Sequence, residues 1–279
     1  MKKIFFLLFS MFLIVSQSVV AVSNEDSEFF VKPLALSSLD EIKKVDLHLK
    51  KMGFTNEELA LMQDDMKIDI ASRGGKKWAV QKLTPKITSV DEQGNRIVIS
   101  EDDSAIRKSD MDIQKVSTSD FELWGWVVKY GSVNSSENSY AVYADYKWNK
   151  GPFNAYTDKL AMAWQDKVTP YGDPTGLHYW RWNPYNQGEA HVYTNAIDKK
   201  LIQGNSWKVN VIAGGDPQDG WGRQEIRVKK SNAGTTGAVE IGYAHRICPG
   251  GTDVTISYGV ISFSGFCQTE YNDRFNFTY

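Results

Sequence analysis

Phe121-Glu122-Leu123-Trp124-Gly125-Trp126-Val127-Val128-Lys129-Tyr130, followed by Tyr140-Ala141-Val142-Tyr143-Ala144-Asp145-Tyr146-Lys147-Trp148, is the stretch that decides the fold. Trp124, Trp126, Val128 and Tyr130 recur at every second position, and so do Tyr140, Val142, Ala144, Tyr146 and Trp148. A period of two places these side chains on one face of an extended strand. The same period returns in Leu160-x-Met162-x-Trp164, Trp207-x-Val209-x-Val211, Val239 to Ile247, Val254 to Val260 and Phe275-x-Phe277-x-Tyr279. Clusters of Gly, Pro, Asn and Asp separate the runs, and no amphipathic helix intervenes. Roughly ten short strands in about 160 residues predict an antiparallel, jelly-roll-like β-sandwich over residues 121–279.

Upstream the character changes. All 13 tyrosines and eight of the nine tryptophans follow residue 120, Trp78 being the exception. Residues 101–120 are polar, begin Glu101-Asp102-Asp103, and read as a linker with little apolar surface to bury. Residues 22–100 read as a helical region ending in a β-hairpin. Ser38 and Glu41 are spaced as a capping box ahead of Leu39, Ile42, Val45, Leu49 and Met52, and Gly53 stops that helix. Thr55-Asn56-Glu57-Glu58 opens a second helix with Leu59, Met62, Met66 and Ile70 on one side, ended by Gly74-Gly75. The apolar side of this pair either packs on the rest of the chain or serves as a pro-segment or docking arm. Ile87 to Val90 and Arg96 to Ile99 flank the glycine-containing loop Asp91-Glu92-Gln93-Gly94-Asn95, a hairpin signal.

Residues 1–21 have the three-part plan of a secretory signal: Lys2-Lys3, an apolar run from Ile4 to Val15, and Val19-Val20-Ala21 before the cut. The run is too short for a spanning helix, which needs about 20 apolar residues. The formal net charge of −2 gives no electrostatic reason to expect a nucleic-acid partner. Export places Cys248 and Cys267 in an oxidising compartment, where a disulfide is the default over two free thiols.

Chemistry-bearing patterns are sparse. His178, Glu189 and His191 suggest a two-histidine, one-carboxylate metal site only if a hairpin gathers them, and their spacing matches no standard motif. Asp216-Pro217-Gln218-Asp219-Gly220 departs from the regular calcium-loop pattern. No nucleophile elbow, zinc-protease motif or phosphate-binding glycine loop is present. The sequence therefore predicts no catalytic residue, metal or cofactor.

Aromatics are the better lead. Tyr179-Trp180-Arg181-Trp182-Asn183-Pro184-Tyr185 is hard to bury whole, because consecutive strand residues face opposite sides. Flat rings beside Asn, Asp and Arg suit stacking on sugars, and exposed apolar patches mark interaction sites. Tyr179, Trp180, Trp182 and Tyr185, with Trp221 or Trp148, are therefore the expected ligand platform. The rival membrane reading rests on Val254 to Phe263, which alternates with Ser and Thr like a pore-lining strand.

Met52-Gly53-Phe54-Thr55-Asn56-Glu57-Glu58-Leu59, Met62, Lys67, Ile70-Ala71 and Gly74-Gly75-Lys76 together resemble a helical leader of secreted proteins from Gram-positive bacteria. The resemblance spans about 30 residues, implies an extracellular bacterial protein and transfers no site residue. These observations predict a secreted, non-enzymatic β-sandwich protein that binds a glycan or cell-wall polymer. The alternative is a membrane-active, pore-forming protein.

Overall fold

Apolar side chains on both faces of the central strands demand more than two layers, and the computed structural model supplies four. It describes residues 29–35, 42–99, 120–152, 154, 156–180, 191–214 and 217–279. The signal-like segment 1–21, the capping box at Ser38 and nearly all of the 101–120 spacer lie outside them.

Among the described residues three helices come first: α1 (Ile42–Lys51), α2 (Asn56–Leu61) and α3 (Asp64–Arg73). Fifteen strands follow: β1 (Lys76–Lys82), β2 (Lys86–Val90), β3 (Arg96–Ile99), β4 (Phe121–Ser132), β5 (Glu137–Trp148), β6 (Thr157–Trp164), β7 (Val168–Trp180), β8 (His191–Thr194), β9 (Ala196–Leu201), β10 (Gly204–Asn210), β11 (Gln218–Lys229), β12 (Thr236–Arg246), β13 (Asp253–Ser257), β14 (Val260–Ser264) and β15 (Gln268–Thr278). One sheet has the order β1-β4-β5-β11-β7-β8, the other β3-β2-β15-β12-β6-β10-β9, and every pairing is antiparallel. The expected β-sandwich is present.

Between the sheets lie Leu123, Val127, Tyr140, Tyr146, Trp148, Leu160, Met162, Trp164, Trp207, Tyr243, Tyr271 and Phe275, all at most 1% exposed. Burying each such side chain contributes roughly 1.5–3 kcal/mol, so this inner layer dominates the fold's stability. The chain crosses repeatedly between sheets. At Asn195 it leaves β8 and enters β9, and the Asn195 side chain secures that corner by donating to Leu177 O at 3.0 Å.

Strands β1 to β3 precede the spacer in sequence yet belong to the sandwich, since β1 pairs with β4 and β2 with β15. The helical region and the sandwich therefore share one body. The second helix expected over residues 55–74 is two helices. Thr55, at the expected opening of the second helix, forms a capping box with Glu58, at 3.2 and 2.8 Å. The helix then breaks at Met62-Gln63, where Met62 is extended and the buried Gln63 side chain reaches down to Asp145.

The helices cover the outer face of the β4-β5-β11-β7 region. Val45, Leu49, Met52, Leu59, Met62, Met66 and Ile70 pack there against Trp126, Val128, Tyr143, Tyr179 and Trp221. The packing outcome expected for the sticky helical side is the one found. On α3, Asp65, Asp69 and Arg73 form a polar row, spaced by four residues, that faces the sheet. Tyr179 donates to Asp65 and Tyr143 to Asp69, Arg223 pairs with Asp69 at 3.4 Å, and Arg73 pairs with Glu225.

The fourth layer is the β13–β14 hairpin, laid on the opposite outer face. Val254, Ile256, Ile261 and Phe263 press onto Ala161, Ala163 and Ala244. Small residues in that bed let the hairpin lie close. A Cβ on Gly204 would stand 2.6 Å from Ile256, and one on Gly242 would stand 3.0 Å from Phe263.

Candidate ligand cleft beside the hairpin

Where the edge of β14 faces β2 and β15, an open cleft of about 630 Å³ remains. Its walls are Lys86 and Thr88 from β2, Arg96 from β3, Ser262 and Ser264 from β14, and Glu270 and Asn272 from β15. Strand alternation explains the polarity. Ile87 and Tyr271 point into the sandwich, so their neighbours point outward. Likewise Ile261 and Phe263 face the alanine bed, leaving Ser262 and Ser264 exposed.

The cleft has a rigid side. Arg96 grips Glu270 through two bonds of 2.7 and 2.8 Å, and its second Nη also donates to Phe263 O. A bidentate pair of this kind fixes both side chains in one geometry. Behind it, Gln268 Nε2 donates to Glu270 at 2.6 Å and Thr252 Oγ1 donates to Gln268 Oε1 at 2.7 Å. Arg246 donates to Thr252 and to Cys248 O. The Cys248–Cys267 disulfide closes the base of the hairpin, as expected. The network continues inward, because Asp158 accepts from the Arg246 backbone at 2.9 Å and from the Tyr243 hydroxyl at 2.8 Å.

This arrangement suits recognition better than bond cleavage. Glu270 is the one carboxylate among the residues lining the cleft, and its oxygens are taken by Arg96 and Gln268. Glycoside hydrolysis needs a second, separated carboxylate. His245 Nδ1 stands 2.9 Å from Asp158, but both are at most 1% exposed and so closed to a substrate.

The residues singled out from the sequence are placed elsewhere. Tyr179 and Trp221 are 3% and 2% exposed, closed beneath α3, so their ring faces are occupied by the protein's own packing. Burial and the Asp65 carboxylate both push the Tyr179 hydroxyl above its usual range. Trp148 is enclosed in the inner layer. Trp180 ends β7, half-buried, on the face that His178 shares. Trp182 and Tyr185 lie outside the described residues.

Of the metal trio, Glu189 and the His191 side chain also fall outside the described residues. His178 is committed to the core: its Nδ1 lies 3.0 Å from the Tyr146 hydroxyl and its Nε2 3.1 Å from Gln218 Oε1. Gln218 Oε1 also accepts from the Ile212 backbone, so His178 is assigned as the neutral Nε2–H tautomer. Burial lowers its pKa to about 4. No group of three potential metal ligands occurs among the described residues.

A second concavity of about 400 Å³ lies between α2 and the strand ends, beside Gln63, Lys147 and Asp219. Asp145 sits beneath it, 3% exposed, with its pKa raised by burial to about 8.

The cleft is not legible in the sequence, because its residues come from four strands and none is unusual in type. The hint available was the polar alternation of Thr88, Ser262 and Ser264 on strands whose other face is apolar.

No family model and no curated protein matches this chain. Among solved structures, it is similar to ACE19, the collagen-binding subdomain of the Enterococcus faecalis surface protein ACE. That likeness has 8% identity and a TM-score of 0.33, over 56% of this chain and 96% of the other. It is also similar to the Clostridium perfringens NetB toxin in its membrane-inserted form, with 8% identity and a TM-score of 0.24, over 71% of this chain and 94% of the toxin. Likenesses at these scores assign no function, which rests on the chain's own residues.

Proposed function

We propose that this chain is an exported bacterial binding protein that takes a hydroxyl-rich polymer, a cell-surface or cell-wall glycan, in the cleft beside the β14 edge. One observation carries the reading: a preformed opening of about 630 Å³, within the usual 300–1,000 Å³ of ligand sites, where Thr88, Ser262, Ser264 and Asn272, with Lys86, Ile261 and Phe263, surround a fixed Arg–Glu pair. Thr88, Ser262, Ser264 and Asn272 offer donors and acceptors to sugar hydroxyls, and Lys86 adds a solvent-facing cation. Export is supported by the signal-like residues 1–21 and by a disulfide, which persists in oxidising compartments. No helix among the described residues is long and apolar enough to cross a membrane.

The test is titration of the folded protein with cell-wall fragments and soluble glycans, beside a Lys86→Ala, Thr88→Ala, Ser262→Ala triple variant. At least a tenfold loss of affinity in a variant of unchanged thermal stability supports the reading. Absence of binding across the panel, or binding that the triple variant retains, removes it.

A further inference from the structure

We propose that the β13–β14 hairpin is a membrane-insertion element, docked in its water-soluble position in this structure. This goes beyond the cleft reading and stands on different observations: the pattern, the anchoring and the bed of the hairpin.

The two strands are joined by the two-residue turn Tyr258-Gly259, both in left-handed backbone at φ 36° and 77°. One face carries Val254, Ile256, Ile261 and Phe263. The other carries Asp253, Thr255, Ser257, Ser262 and Ser264, with Val260 beside the turn, all exposed. Apolar-out and polar-in alternation of this kind is what a barrel strand shows to lipid and lumen. The paired strands have five residues each, roughly 16 Å at about 3.3 Å per residue, and extending them through the flanking residues to the cysteines, 249–257 and 260–266, would give roughly 23–30 Å, comparable with the roughly 25 Å apolar band of a barrel.

The anchoring is suited to movement as a unit. The disulfide ties the two ends together, and next to it Gly250 and Gly265 hold φ values of 139° and 152°, which L side chains rarely adopt. Tyr258 at the tip is 61% exposed, Val260 49% and Phe266 45%, so apolar groups already face outward before any opening.

The bed decides the direction. Lifting the hairpin uncovers Ala161, Ala163, Ala244, Gly204 and Gly242, which present little apolar area to water. The hairpin takes away the larger side chains, and lipid compensates their burial. Polar tethers hold the docked form: Lys199 to Asp253 at 2.8 Å, the Ile261 backbone N–H to Glu240 at 3.1 Å, Arg96 to Phe263 O, and, at the base, Thr252 Oγ1 to Gln268 at 2.7 Å. A lone hairpin cannot remain in hydrocarbon with open strand edges, so insertion requires several copies closing a barrel.

The experiment is release of a self-quenched dye from vesicles of phosphatidylcholine with phosphatidylglycerol, which contain no glycan and so test this inference separately from the cleft. Wild type should release dye, and cross-linking should show oligomers only when vesicles are present. Tyr258→Asp changes an exposed tip without touching the packing and should slow release at least tenfold. Asp253→Ala removes the Lys199 tether and should speed it severalfold. Vesicles that stay intact with wild type and with Asp253→Ala, or release unaffected by Tyr258→Asp, would overturn the proposal. Near-ultraviolet circular dichroism of each variant establishes that the fold is retained.

Discussion

Tyr179 donates its hydroxyl hydrogen to Asp65 Oδ2 across 2.9 Å, joining the end of β7 to the first turn of α3. This contact turns a tyrosine that reads as a ligand ring into part of the seam between helices and sheet. Tyr179→Phe should therefore cost about 1.5–3 kcal/mol of stability, the range for a hydrogen bond to a charged group. Trp221→Ala should cost about 3–5 kcal/mol through the cavity it leaves. Urea unfolding measures both, and neither change should weaken glycan binding in variants that stay folded.

Stability should fall as pH rises through neutrality. Burial lifts the Asp145 pKa from about 4 to about 8, so between those values the folded chain holds a proton that the unfolded chain has lost. Its contribution is complete below pH 4 and fades toward pH 8. His178 works oppositely: its pKa falls from about 6.5 to about 4, so its contribution is complete above pH 6.5 and fades toward pH 4. Between pH 6.5 and 8, Asp145 alone sets the slope of this pair. Melting temperature should drop across that window in wild type and stay level in Asp145→Asn, whose Oδ1 still accepts from Gln63. An equal drop in both proteins would contradict the assignment.

Reduction should act through the hairpin base. Cys248 and Cys267 are 19 residues apart, and closing such a loop stabilises by roughly 3 kcal/mol in the chain-entropy model. A Cys248→Ser, Cys267→Ser double variant should lose about that much in chemical unfolding. Proteolysis of the native protein should then cut first within residues 249–266.

The small-residue bed yields a further expectation. Gly242→Val places a Cβ hard against Asn272 Oδ1 on β15 and 3.0 Å from Phe263 Cε2, and once the Asn272 side chain has swung aside the crowding against the hairpin should cost about 1–3 kcal/mol. The effect should be local, seen as faster amide exchange in β13 and β14 while the inner-layer strands keep their protection.

The period of two was readable wherever one strand face meets the inner layer, as at Leu160, Met162 and Trp164. What that alternation could not reveal was the second covering. Trp124, Trp126 and Val128 lie on the face of β4 that meets the helices, while Leu123 and Val127 fill the sandwich, so both phases of the strand are apolar. The helix pair announced itself through Thr55 and Glu58, but its break at Gln63 depends on a partner, Asp145, that lies 82 positions away. For the same reason Tyr179 and Trp221 look like surplus rings in the sequence, since the α3 surface that encloses them is distant in the chain. The Cys248–Cys267 pair was legible because two cysteines leave one pairing. The cleft was not, because Lys86, Arg96, Ser262 and Glu270 meet only after β2 has paired with β3 and β15 and the β13–β14 hairpin has packed onto its alanine bed.

Amide chemical-shift mapping during titration with a cell-wall glycan tests the central claim most directly. Binding at the β14 edge predicts perturbations concentrated at Lys86, Thr88, Ser262, Ser264 and Asn272, with Tyr179 and Trp221 unmoved. Perturbations gathered instead around the β7 end at Trp180, with the cleft silent, would contradict it.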